Sequence, residues 1–279
     1  MVQMPGEHKK MMRENLSPLL LVVFLPLLLS QCDVAPQKKN NISPVEQKII
    51  LTVAEQYPGP LTVQDPVISL SMRTEKTYGC INYHIAYDFF KVGNGLNFKI
   101  FGVEIGEICL PALGPATANE FLHVDDGAYS MRITLRDLYD DYSLTVTDTT
   151  ILLVPLDTSV SRVNGRLHWR YPRKSFAYLA GTYTGDEALA PAFDDTLHKY
   201  LSLQEIKVPA SGIWPYPPTS SGHYYDAPAK FYRYSNEADF DSAGALLKTF
   251  SKNILKYKQG AGFYIVNWRN KSYYSWLLE

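Results

Sequence analysis

The residues with reactive chemistry are few and widely spread. Past residue 32 the histidines are His84, His123, His168, His198 and His223. No two of them have His-x-x-x-His spacing and no Cys-x-x-Cys occurs, so no local zinc motif is present. His123-Val124-Asp125-Asp126 could offer three nitrogen or oxygen ligands. Cys80 and His84 differ by four residues, which on a strand puts them on one face about 13 Å apart, too far for a nucleophile to bond its base. Gly-x-Ser-x-Gly, Walker and dinucleotide fingerprints are absent, and no cofactor or metal is expected. Asp194 and Asp195 are neighbours on an expected helix, cannot both face one way, and read as solvated.

Recognition chemistry concentrates in one irregular stretch, Pro209 to Pro228. It carries Trp214, Tyr216, His223, Tyr224 and Tyr225 among Pro215, Pro217 and Pro218. Loops of this length inside a compact domain are functional or disordered. Rings on a proline-stiffened loop can stack on sugar or peptide at low entropic cost. The other reading is that the same rings pack the loop onto its own domain. Cys80 and Cys109 are the cysteines left after Cys32. In an exported protein such a pair forms a disulfide, which would close a loop of about 30 residues and add about 3 kcal/mol, or else stays as two buried thiols.

The elements that must position these groups fall into two halves. Residues 48–156 read as all β. Ile68, Leu70 and Met72 alternate with polar neighbours, and so do Ile81, Tyr83, Ile85, Tyr87 and Phe89. Gly93-Asn94-Gly95 is a turn ahead of Phe98 and Ile100. Tyr129 to Leu135 and Tyr142 to Val146 alternate on either side of a polar hairpin connection, Asp137 to Asp141, and Ile151 to Val154 is an apolar strand. Strands at this spacing without helices between them argue for a sandwich.

Residues 157–279 change character. Thr184-x-x-Glu187 has the form of a capping box ahead of Leu189, Phe193, Leu197 and Leu201, with Pro191 near the helix start. A second helical period runs through Phe240, Ala243, Leu247, Phe250, Ile254 and Tyr257 behind the cap candidates Ser235 and Asn236. Strands are expected at Leu167–Tyr171, Ser175–Thr182, Ala229–Tyr234, Gly262–Trp268 and Tyr273–Leu277, the last two joined at Asn270-Lys271. Helices packed on one sheet face make this an α+β domain, with a ferredoxin-like arrangement as the expected form.

Asp125-Asp126-Gly127-Ala128-Tyr129-Ser130-Met131 resembles the Asp-x-Gly-x-Tyr-x-Cys segment before strand F of immunoglobulin-like domains, with Asp125, Gly127 and Tyr129 matching. The resemblance implies an Ig-like or fibronectin-like sandwich in which the Tyr129 hydroxyl bonds back to the backbone. Met131 stands where the cysteine would be, so an antibody-type core is not implied.

At the amino end, Lys9, Lys10 and Arg13 precede an apolar run from Leu19 to Leu29, then Ser30, Gln31 and Cys32. The run is shorter than the about 20 residues that span a bilayer. Basic, apolar and small-residue parts in this order make a secretory signal. Leu29-Ser30-Gln31-Cys32 resembles the lipobox of bacterial lipoproteins, with Gln31 where Gly, Ala or Ser is usual. The resemblance implies removal of residues 1–31 and lipidation of Cys32, the address of a cell-envelope protein on the periplasmic or cell-surface side. Residues 32–47, with Pro36, Gln37, Lys38, Lys39, Asn40 and Asn41, read as the tether.

The leader carries three basic and two acidic side chains, so the formal charge of −1 becomes −2 without it. A near-neutral head has no electrostatic case for nucleic acid. Twenty tyrosines suit strands. The expectation is an anchored, two-domain, non-catalytic protein that meets carbohydrate, peptide or another envelope protein through its aromatic loop. A hydrolase with a site between the halves and a structural envelope component are the alternatives.

Overall fold

A computed structural model describes residues 42–59, 62–106, 108–255 and 260–277. The leader, Cys32 and residues 33–41 of the expected tether lie outside the described residues, whereas residues 42–47 belong to the fold rather than to a tether: Ile42 and Ser43 pair with Glu104 and Val103, and Val45 is in the core. The chain is mostly β with two helices among the described residues, and none of these helices is long and apolar enough to cross a membrane.

The alternating pattern builds a large sheet from strands β1 (Ile42–Ser43), β2 (Ile49–Gln56), β3 (Val67–Tyr78), β4 (His84–Val92), β5 (Gly95–Glu104), β6 (Gly114–Phe121), β7 (Gly127–Leu135), β8 (Leu138–Val146), β9 (Thr150–Pro155), β10 (Ser161–Val163) and β11 (Leu167–Trp169). The order is β10-β2-β3-β6-β4-β5-β7-β8-β9-β11, with β1 added beside β5. Inward residues at period two, such as Leu96, Phe98 and Ile100 or Met131, Ile133 and Leu135, share one core. The sheet curls until its ends meet. Ile49 N–H donates to Val160 (3.0 Å) and Asn164 N–H to Leu51 (2.8 Å), while Leu153 N–H donates to Arg166 (2.8 Å), so residues 160–166 bridge β2 to β9. Gly93, at φ 56°, and Asn94 form the tight β4–β5 turn that the Gly-Asn-Gly signal predicts.

A smaller sheet follows: β12 (Ser175–Thr182), β13 (Gln204–Glu205), β14 (Tyr225–Asp226), β15 (Lys230–Arg233), β16 (Gly262–Asn267) and β17 (Ser272–Tyr274), with α1 (Leu189–Tyr200) and α2 (Glu237–Asn253) between them. The order is β13-β15-β12-β16-β17, all antiparallel, with β14 also on β12. β12 is buried along its whole length. Phe176, Tyr178 and Ala180 on one face meet Phe193, Leu197, Phe240, Leu247 and Phe250 of the helices, while Ala177 and Leu179 face the other way.

Several expectations need correction. Leu167–Trp169 belongs to the large sheet, because it pairs with β9 through Leu167↔Leu152 to Trp169↔Thr150. Asp137–Asp141 is not a connection: the turn is Arg136-Asp137, with Arg136 at φ 58°, and Leu138 already starts β8. Asp140 is buried there because its carboxylate accepts the N–H groups of Val160 (3.0 Å) and Ser161 (2.6 Å) and the Ser161 hydroxyl (2.7 Å). Thr184 does not cap α1. The helix starts at Leu189 after Ala188, and the Glu187 carboxylate accepts Gly185 N–H instead. Asn236 does cap α2, with Asp239 accepting its N–H at 2.8 Å. α2 ends at Asn253, and Tyr257 lies outside the described residues. Ile81 is exposed, ahead of β4 rather than on its inward face.

The two sheets are tied together. Glu55 of β2 accepts Arg170 Nε (2.8 Å) and Tyr171 N–H (2.7 Å), and Arg170 also reaches Asp126 (2.7 Å) and the Thr147 carbonyl (2.7 Å). Tyr57 donates to the Trp268 carbonyl at 2.9 Å, and Asp65 pairs with Arg269 at 2.9 Å.

Candidate functional site

The irregular stretch 209–228 is held by its own backbone bonds. Ile213 exchanges bonds with Leu167 and Trp169, both 2.9 Å, which fastens it to the large sheet. Ala229 N–H donates to Pro218 (2.8 Å), and Thr219 bridges Pro228. Its aromatic residues do not form one platform. Tyr216 is buried over Ala177 and Leu179, stacks on Phe231 with ring centroids 5.8 Å apart, and bonds Ser175 through both the hydroxyl (2.9 Å) and the carbonyl (3.1 Å). Burial pushes its phenol well above the ordinary value. Trp214 is half-buried, edge-on to Phe231 at 5.6 Å, and its indole N–H is buried with no hydrogen-bond partner among the described residues. These two rings cover the face of β12 that the helices leave open.

His223, Tyr224 and Tyr225 lie at the other end of β12. Trp214 rests on Phe231, which pairs with Ala177, whereas Tyr225 pairs with Thr182. Five residues of strand separate them, about 17 Å. Tyr224 is exposed and edge-on to Tyr183 at 5.6 Å. His223 sits against Gly181 and Gly262, where a larger side chain would collide with its imidazole. Its Nδ1 is 3.3 Å from Asp226 Oδ1, which also accepts Ser220 Oγ at 2.6 Å. Here the carboxylate stands between serine and histidine. A serine nucleophile needs the imidazole next to it, so this cluster orders the loop rather than activating Ser220.

The remaining candidates are absorbed by structure. Cys80 and Cys109 are joined in a disulfide, Cα atoms 5.2 Å apart. His123 has φ 45° and its carbonyl accepts Lys91 Nζ at 3.2 Å. Asp126 is held by Arg170, and the Asp125 carbonyl accepts the Tyr129 hydroxyl at 3.0 Å. Tyr129 is half-buried, with Lys91 5.6 Å above its ring. No group of three metal-ligating side chains occurs among the described residues. Asp194 is buried, against the expectation of a solvated pair, because Lys230 and Tyr232 both donate to it; Asp195 is exposed. The sequence signal for Asp194 was its place on the Leu189–Phe193–Leu197 face, where a carboxylate must find donors.

What the sequence reading missed is a cleft of about 370 Å³ on the outer side of Trp214. Trp169 and Trp214 supply flat apolar walls, and the Trp169 indole is fixed by donating to the Ser211 carbonyl at 2.8 Å. Arg170, Arg173, Lys207 and Arg233 line it against a single acid among the described residues, Asp148. Arg170 is already satisfied by Glu55 and Asp126, and Arg173 lies over Trp268 at 5.2 Å. Lys207 and Arg233 are exposed and make no ion pair among the described residues. These groups come from 148–149, 169–173, 206–214 and Arg233, so no single segment announces them. A smaller cavity of about 230 Å³ lies between Tyr57, Tyr171, Tyr216, Tyr264 and Tyr274. Burial raises the phenols of Tyr57, Tyr171 and Tyr264, which leaves them as neutral hydrogen-bonding groups at physiological pH.

Comparison with protein-family models, curated proteins and solved structures returned no match for this chain.

Proposed function

We propose that the chain is a lipid-anchored, extracytoplasmic binding protein of a bacterial envelope, without catalysis of its own, that takes a carboxylated oligosaccharide in the Trp169–Trp214 cleft. The address rests on the signal ending at Cys32 and on the polar tether behind it. The cleft carries the ligand class. Indole faces stack on sugar rings, and exposed guanidinium and ammonium groups pair with carboxylates. The single observation behind this is that Lys207 and Arg233 stand free beside the two tryptophans with Asp148 as the only acid among the described residues.

The fold reading that goes with it is an Ig-like sandwich followed by an α+β unit of ferredoxin-like type. Support for the sandwich comes from the Tyr129–Asp125 corner bond and from β4 and β6 sharing one pair, His84↔Thr117, which divides the large sheet into two groups of strands. The second strand of the β4–β5 hairpin lies beside β7, so the likeness is to the architecture rather than to the antibody strand order. Support for the second unit is the succession β12, α1, β13, β15, α2, β16, with order β13-β15-β12-β16 and both helices on one face.

Calorimetric titration with an oligogalacturonate and with its neutral methyl ester tests the function. Binding of the charged form alone is expected, with at least a tenfold loss in Lys207→Glu and Arg233→Glu and no change in their melting curves. Equal binding of both sugars, or indifference to the two charge reversals, contradicts the assignment.

A further inference from the structure

The disulfide sits in an exposed apolar knob. Ile108-Cys109-Leu110-Pro111-Ala112-Leu113 is a run of six exposed residues without a charge. Ile108 is 75% exposed, Leu110 53% and Leu113 82%. Ile81, also exposed, packs on Gly114 next to them. The knob is shaped before it meets anything. Besides the Cys80–Cys109 bond, Ile81 N–H donates to Leu110 (3.2 Å), and Asn82 both donates to the Ile108 carbonyl (2.7 Å) and accepts Leu110 N–H (3.0 Å). A covalently clamped cluster of leucine and isoleucine in water marks an interaction surface.

Its position relative to the tether says what covers it. The described chain enters the fold at Ile42, which pairs antiparallel with Glu104, the last residue of β5. Antiparallel pairing puts Ile42, the first described residue, at the end of β5 that leads into the knob. Nine residues separate Cys32 from Ile42. They reach at most about 35 Å. An acylated Cys32 would therefore keep Ile42 within that reach of the membrane surface. Tethering makes the second contact intramolecular, so even weak apolar insertion is well populated.

We propose that the knob at Ile81, Ile108, Leu110 and Leu113 inserts into the interfacial region of the lipid bilayer and, with the anchor, fixes the orientation of the head. The proposal rests on the anchor reading above. Depth of this kind is a few ångströms into the headgroup–acyl boundary and needs no spanning segment. The opposite end of β5 supplies a control: Val92, at the β4–β5 turn, is 68% exposed and about 30 Å away along the strand.

The test uses the full-length protein purified from membranes and reconstituted in phosphatidylethanolamine–phosphatidylglycerol vesicles with brominated acyl chains. Leu113→Trp and Val92→Trp are compared, each read as the difference from wild type. Both positions are exposed, so neither change disturbs the core. Quenching at least twofold stronger for Leu113→Trp is expected. Equal quenching in protein that floats with the vesicles and carries an acylated N-terminal peptide overturns the proposal while leaving the anchor intact; a protein partner on the knob gives this outcome too. A protein with no acyl chain that does not float overturns the anchor reading and this proposal together.

Discussion

His168 lies buried on β11 with Nε2 facing Gly165 and no hydrogen-bond partner for that nitrogen among the described residues. Burial lowers its pKa from the ordinary 6.5, against backbone hydrogen bonding near Asn164 and Gly165 that raises it. The unfolded chain takes up a proton below about 6.5, while the folded chain resists it. The neutral ring therefore leaves stability intact above that pH, and stability falls as pH drops through it, by up to about 1.4 kcal/mol per pH unit. Urea denaturation at pH 7.5 and pH 5 should show this fall in wild type and a smaller one in His168→Gln; parallel curves would count against it. Tyr216→Phe should cost about 1–3 kcal/mol, because the ring stays and the buried Ser175 groups lose their partner. An unchanged denaturation midpoint would mean that the hydroxyl is not holding the loop. Single residues were the least legible scale. The sequence carried the aromatic loop as one cluster, yet Tyr216 joins the core and Tyr224 points to solvent, because a proline-rich loop can reverse direction between them. Asp140 was unreadable as a buried group, since its donors come from residues 159–161; Asp194 had only its place on the apolar helix face as a signal, since its donors, Lys230 and Tyr232, lie far along the chain.

At the scale of elements, pattern served well where it was long and failed where it was short. The strand Ser175–Thr182 and the start of the helix behind Asn236 follow the expected bounds because an unbroken apolar run and a capping residue are local signals. The three-residue strands β10 and β11 were misplaced or unseen, since three residues hold too little periodicity to choose a sheet. Thr184 failed as a cap because the turn at Gly185, φ 99°, intervenes before the helix. The Cys80–Cys109 bond closes the segment that leaves β3, runs through the β4–β5 hairpin and returns to β6. Cys80→Ser with Cys109→Ser should lower unfolding free energy by about 3 kcal/mol, read from denaturation with and without reductant. If reductant does not destabilise wild type, the bond contributes nothing to stability.

For the whole molecule, the sequence carried the β-rich first half and the helices of the second. The cleft was out of reach because four separated segments converge on it only after Glu55, Arg170 and Tyr171 lock the two sheets together. Both the proposed envelope address and the proposed membrane contact of the knob depend on the head being tethered through Cys32. Intact-mass analysis of the N-terminal peptide from the membrane fraction tests that most directly. The expected result is a mature chain beginning at an acylated Cys32, and a Cys32→Ala protein that is neither acylated nor cut at that position. A wild-type chain that still carries Leu19 to Leu29, or that begins elsewhere without an acyl group, contradicts it.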